Sequence, residues 1–261
     1  MPCVTGQVIF IGLFHSNGRI VLMGAAIAIL STHGIARNIR DRFADIKIDL
    51  PDNMALRIIA AAMKFTKDDI LIKEWMERRS SLAEDLRPVI EKIGSCINSG
   101  RQTNKKEEEL KKDLENVIPI HPYAALVLKH ISVLFGSNQR SIFEFIIHKY
   151  DDAMDFKWFI ENHGACDDNN LLTTDMLWDF FYVRCQSSIQ EQIRRILDAY
   201  RFNEAKLGNP DEKRILIVLL LLEAISTVES DIQLLRPSKE NIKFAFGGLD
   251  NWSSGKADTL I

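Results

Sequence analysis

Residues 119–146 read PIHPYAALVLKHISVLFGSNQRSIFEFI, and this stretch decides the fold. Pro122 stands where the first turn of a helix tolerates proline, because the N–H it lacks would find no intrahelical partner there. The spacing predicts a helix over 121–135, with small residues at Ala124 and Ala125. Gly136-Ser137-Asn138 breaks that helix, and Ser137 or Asn138 can cap the next one, 139–149.

Working outward, the flanks are also helical. Upstream, 53–64 carries Met54, Leu56, Ile58, Ile59 and Met63, with Asp52 as a cap. Helices are expected at 68–79 and 82–97, with Pro88 marking a break or kink. The polar run NSGRQTNKKEEE, 98–109, reads as a surface loop or hinge. Downstream, 150–172 reads as irregular. Thr174 caps a helix that opens Met176-Leu177-Trp178, and a long helical stretch reaches about Phe202. Residues 211–226, with ILIVLLLL at their heart, read as a helix at a core centre. Ser238 caps a last helix over 239–246.

Only the first fifty residues look different. Residues 8–14, VIFIGLF, form a short apolar run ended by His15-Ser16-Asn17-Gly18. That is the pattern of a parallel strand buried on both faces, with a loop at its carboxyl end. A helix over 20–39 and a second strand at 45–49, closed by Pro51, are expected to follow. The fold class read from this order is mainly α. A two-strand remnant of a parallel α/β core comes first, then a helical region, then a further helical module whose order of helices has a winged-helix-like pattern. The boundaries fall at 1–66, 67–150 and 151–261.

Composition narrows the classes. The chain has 261 residues, 46% hydrophobic and 26% charged, which suits an ordinary globular protein with a sizeable core. Its formal net charge of −3 gives no global case for nucleic-acid binding. The four cysteines, Cys3, Cys96, Cys166 and Cys185, form no CxxC pair, so they read as reduced thiols of a cytoplasmic protein and not as a zinc cage. The six histidines show no HExxH pattern, and no metal ligands are assigned. The apolar runs 20–30 and 215–222 fall well short of the ~20 residues a membrane helix needs, so no membrane partner is expected.

Three short motifs could carry chemistry, and each has a plain structural reading. His15-Ser16-Asn17 can be a strand-end turn, where Ser and Asn serve backbone geometry. Arg40-Asp41-Arg42-Phe43 can be a helix end, where Arg complements the dipole. Asn138-Gln139-Arg140-Ser141 can be an ordinary capped helix start bearing an Arg. No GxxxxGK[ST] phosphate loop occurs in the sequence. The nearest stretch, Ser254-Gly255-Lys256-Ala257, lacks the first glycine and the hydroxyl residue that such a loop needs.

Taken in order, FIGLFHSN, RFADIKIDLPDNMALRIIAAAM, the 119–146 stretch, LLTTDMLWDFF and LLRPSKENIKFAF resemble the large P-loop ATPases of bacterial anti-phage defence islands, the BREX-type family and its relatives. In that family the lid typically reads HP…A…L…S…FGQNERSLFSFL. His121-Pro122 matches its start. Residues 138–143, NQRSIF, match NERSLF with Gln139 where Glu is usual. His15-Ser16 matches the family's H-Q-S only in part, and the apolar 20–30 departs from a family segment that is usually polar and helical. The similarity spans most of 8–246.

The resemblance implies an AAA-type core whose phosphate loop and acidic Walker B strand lie outside this chain. A helical lid and a helical, winged-helix-like module would follow it. It implies nucleotide sensing by His15 or Asn17 (with Ser16 beside them), an arginine finger at Arg42, and a lid contact to phosphate at Arg140. ATP, with Mg, would bind only with the missing core. The expected partner is an N-terminal ATPase half or a neighbouring subunit, with DNA as a further candidate. The chain would then be a fragment, a truncated product or one piece of a split protein. The alternative function is a non-catalytic helical module that binds protein or DNA. Lys105, Lys106, Lys111 and Lys112 offer local positive charge, but Glu107, Glu108, Glu109 and Asp113 interleave them, so a solvated helix face is the simpler reading.

Overall fold

The apolar run ILIVLLLL builds the central helix of the protein. In the computed structural model, which describes residues 9–14, 20–25, 54–62, 69–97, 104–134, 142, 144–146, 154–164, 171–184, 189–228, 231–249, 252 and 259, this run lies within helix Pro210–Ser226. Asn209 caps it by accepting from the Asp211 N–H, and Pro210 fills the first turn. Ile215, Val218, Leu220, Leu221, Leu222, Ala224 and Ile225 are buried along it. Apolar residues cover most of its circumference, so it is packed from several sides.

The chain divides into two compact units, Met1–Leu50 and Pro51–Ile261. The second unit is mainly helical. It runs α1 Met54–Ala62, α2 Asp69–Asp85, α3 Arg87–Ile97, α4 Asn104–Asn116, α5 Pro122–Leu134 and α6 Phe156–Asn162. A 3-10 turn, Thr174–Met176, and a π-helical stretch, Asp179–Arg184, lead to α7 Glu191–Asn203, α8 Pro210–Ser226 and α9 Lys239–Ala245. Helix α5 touches α1, α3, α4, α8, α9 and the 3-10 turn. One core therefore spans the boundary expected at 150, and the boundary expected at 66 also falls inside this unit. A single parallel bridge, Ile120 to Leu172, ties the start of α5 to the 171–176 segment.

Within the first unit, β1 Ile9–Phe14 pairs antiparallel with β2 Ile20–Ala25. This corrects two expectations. Among the described residues β1 pairs only with β2, and antiparallel, and 20–25 is strand where a helix was expected. The reason is connection length. Five residues, HSNGR, separate the strands, whereas a parallel crossover takes a dozen or more. Asn17-Gly18 is itself a hairpin signal. The expected strand at 45–49 lies outside the described residues.

Two more expectations need correction. The run read as loop or hinge at 98–109 is helix from Asn104 onward. Lys and Glu are good helix formers, and Lys111 pairs with Glu107 one turn away. Leu114 anchors the helix in the core, and the buried Asp113 carboxylate accepts from Arg57 at 2.9 Å. The run read as irregular at 150–172 contains α6, capped by Asp155, whose side chain accepts from the Trp158 N–H. In both places a polar sequence hid a helix whose few apolar residues supply the anchor. By contrast, Ser238 caps α9 as expected, its hydroxyl accepting from the Asn241 N–H.

Truncating the central helix should be costly. Leu221→Ala, at a fully buried position, should lower unfolding free energy by about 2–5 kcal/mol in urea titration. Phe202→Ser, at a side chain 76% exposed, should change it by less than about 0.5 kcal/mol.

Candidate functional site

The four residues assigned functional roles from sequence, His15, Asn17, Arg42 and Arg140, and Ser16 beside them, all lie outside the described residues. Of the stretch 119–146, residues 119–134, 142 and 144–146 are described. There His121-Pro122 opens α5, and a polar cluster is buried around it.

His121 is fully buried. Its Nε2 lies 2.8 Å from the Gly247 carbonyl, and its Nδ1 lies 3.2 Å from the Tyr123 N–H. A carbonyl can only accept and an amide can only donate. The ring must therefore carry its proton on Nε2, giving to Gly247, and accept at Nδ1 from Tyr123. Desolvation holds its pKa down to about 4, against smaller upward pushes from the Gly247 carbonyl and the Asp175 carboxylate. At neutral pH the ring is uncharged, and both its nitrogens are occupied. Tyr123 is spent in the same way: its hydroxyl donates to the Leu234 carbonyl, and burial pushes its pKa up.

The second half of the cluster was not legible in the sequence. Arg214 at the start of α8 donates from Nε to Asp175 at 2.8 Å. Thr173 donates its hydroxyl to the same carboxylate at 2.6 Å. The guanidinium lies 5.0 Å from the ring centre of Phe246 and 5.6 Å from that of Trp252, and those rings stack at 4.1 Å. The sequence shows only that Arg214 stands directly before an eight-residue apolar run, which puts its stem against the core without naming a partner for its charge.

This arrangement binds segments to one another. Its donors and acceptors face each other, and it leaves no nucleophile and base aligned on an open space. An apolar groove of about 300 Å3 lies nearby, between Pro88 and Val89 on one side and Lys243, Phe244 and Gly247 on the other. Among the described residues no group of three or more His, Cys, Asp or Glu side chains is placed to hold a metal ion. Among them, too, no helix is long and apolar enough to cross a membrane. The chain matches no family model, no curated protein and no solved structure. The likeness to defence ATPases therefore rests on the motifs alone.

The depressed His121 pKa predicts a pH dependence. Between about pH 4 and 6.5 the unfolded chain binds a proton that the folded chain refuses. Stability from this group is thus complete above pH 6.5 and is lost as pH falls toward 4. At about 1.4 kcal/mol per pKa unit, the loss is at most about 3.5 kcal/mol. Thermal melts across this range should show the slope, and His121→Gln should flatten it.

The Arg214–Asp175 pair predicts strong coupling. Arg214→Met alone leaves a carboxylate that is nine-tenths buried without its cation, at a cost of about 3 kcal/mol. In a double-mutant cycle, Asp175→Asn combined with Arg214→Met should cost less than the sum of the single changes by about 1–3 kcal/mol.

Proposed function

We propose that this chain is the lid and helical-module part of a P-loop-type ATPase of the anti-phage defence kind, acting with a phosphate-binding core that it does not itself contain. The observation that carries this reading is the ordered set of motifs, and above all HP followed by NQRSIF at the lid spacing. In this reading His15 or Asn17 senses the γ-phosphate, Arg42 reaches a neighbouring subunit's nucleotide, and Arg140 closes the lid on phosphate. A guanidinium suits both arginine positions because it is permanently charged and spreads that charge over several phosphate oxygens. ATP and Mg bind only once the core is supplied, and the C-terminal helices form a winged-helix-like module. The mainly helical second unit is compatible with a lid and module, and His121 serves there as a structural joint.

A second reading is a non-catalytic helical module that binds protein or DNA. One observation is relevant to the protein form. Ile70, Leu71 and Met76 on α2 are 71%, 52% and 48% exposed, three large apolar side chains spread around an otherwise mostly polar helix.

The test is hydrolysis in a complete assembly. The chain alone should not turn over ATP. Joined with its core, the wild type should do so, and Arg42→Ala should lower kcat by about 10³-fold or more. Equal turnover by the Arg42→Ala assembly would remove the finger role. ATP hydrolysis by the purified chain alone would overturn the whole reading, whereas binding to DNA that weakens steeply with salt would favour the second one.

A further inference from the structure

The groove between the α2–α3 corner and α9 is held at a set width. A Cβ at Gly247 would come within 2.9 Å of Val89 Cγ2, and one at Gly248 within 2.9 Å of Leu86 Cδ2 and 3.0 Å of the Asp85 carbonyl. Bare glycines let the turn after α9 sit this close, and Gly248, at φ +78°, needs glycine for its backbone as well. The Gly247 carbonyl is held from inside by His121 at 2.8 Å. Pro88, Val89 and Phe244 line the resulting space of about 300 Å3. Pro88 is exposed and Phe244 half-buried, so apolar surface stays open to solvent here.

The charges around this groove are not balanced. Its lining carries two carboxylates, Asp85 and Glu240, against one ammonium, Lys243. Both acids are exposed, and among the described residues neither has an ion-pair partner. Neighbouring charges are engaged. Glu84 pairs with Arg87, and Lys92 sits 6.0 Å over the Phe244 ring, outside the lining. The two acids mark opposite ends of the groove. Glu240 is in the first turn of α9, whereas Asp85 meets Gly248 beyond the end of that helix, about 10 Å away at ~1.5 Å of rise per residue.

We propose that this groove seats an extended basic–apolar segment of a partner protein, with one apolar side chain over Val89 and Phe244 and a Lys or Arg on either side of it reaching Asp85 and Glu240. In an extended chain alternate residues share a face, and residues four apart lie about 13 Å apart. An order of basic, any, apolar, any, basic therefore matches both the spacing and the charge. A groove already held at its width takes such a segment with little ordering cost of its own. The exposed acids then select basic over acidic segments through charge complementarity. The proposal rests on the protein-binding reading and names its surface.

Amide NMR titration of the full chain, without nucleotide and at neutral pH, tests this. The peptide Lys-Ala-Leu-Ala-Lys, capped at both ends, should bind saturably and shift the amides of Val89, Phe244, Gly247 and Gly248. Peptides with serine in place of the leucine, or glutamate in place of both lysines, should bind about tenfold more weakly or worse. Asp85→Asn combined with Glu240→Gln, both at exposed positions, should weaken binding of the parent peptide about fivefold or more and leave the thermal melt in place. No saturation by about 1 mM peptide, equal binding of the serine or glutamate peptide, or unchanged affinity in the double variant would each overturn the proposal. Shifts confined to residues away from the groove would also overturn it, while leaving the protein-binding reading standing. A concentration-dependent dimer that shields the same four amides would give the groove to a second copy of this chain instead.

Discussion

A histidine buried at the head of α5 cannot keep its water, and this constraint organises the second unit. Removing an imidazole from solvent without partners costs several hydrogen bonds' worth of free energy, so both ring nitrogens must be matched inside the protein. One partner is local, the Tyr123 N–H just inside the helix. The other comes from Gly247, 126 residues away. The helix cannot be buried at that end unless the C-terminal turn arrives there. The same end of α5 is tied to the 171–176 segment by the Ile120–Leu172 bridge, and through Tyr123 to Leu234. Sequence-distant segments thus converge on the first turn of one helix.

The Asp175–Arg214 pair solves a related problem on the next helix. The head of α8 must enter the core with a charged residue still on it. Its guanidinium is neutralised by a carboxylate and sheltered by two aromatic faces, with Thr173 completing the acid's hydrogen bonds. A pair of this kind contributes little net stability compared with apolar packing, but it makes wrong arrangements expensive. It therefore fixes where the Phe246 and Trp252 rings can sit. The His121 joint and the Arg214 joint meet at the same C-terminal turn, so polar satisfaction and aromatic packing select the same placement.

Helices with strong local signals were legible from sequence. Pro122, Ser238 and the apolar 215–222 run each state their role through backbone chemistry or periodicity. Misreadings came where the anchors were sparse. In NKKEEELKKDLEN two leucines and a buried aspartate are enough to seat a helix that composition alone makes look like loop. At 20–25 an apolar run satisfied helix and strand equally, and the five-residue spacing after β1 carried the deciding information. The candidate site was less legible still. His121 stood out through its neighbour proline, but its carbonyl partner comes from a glycine with no side chain to betray it.

By itself the sequence determined that this protein is mainly helical, where several helices start, and which run lies at the centre of the core. Those are consequences of local hydrogen bonding, capping and the 3.6-residue period, and a chain carries them wherever it goes. Only the tertiary structure decided that α5 and α8 share one core, that His121 is spent on a backbone carbonyl, and that Arg214 answers Asp175. Those facts depend on which distant groups meet once water is excluded, and burial sets that requirement without naming the partner in the local sequence.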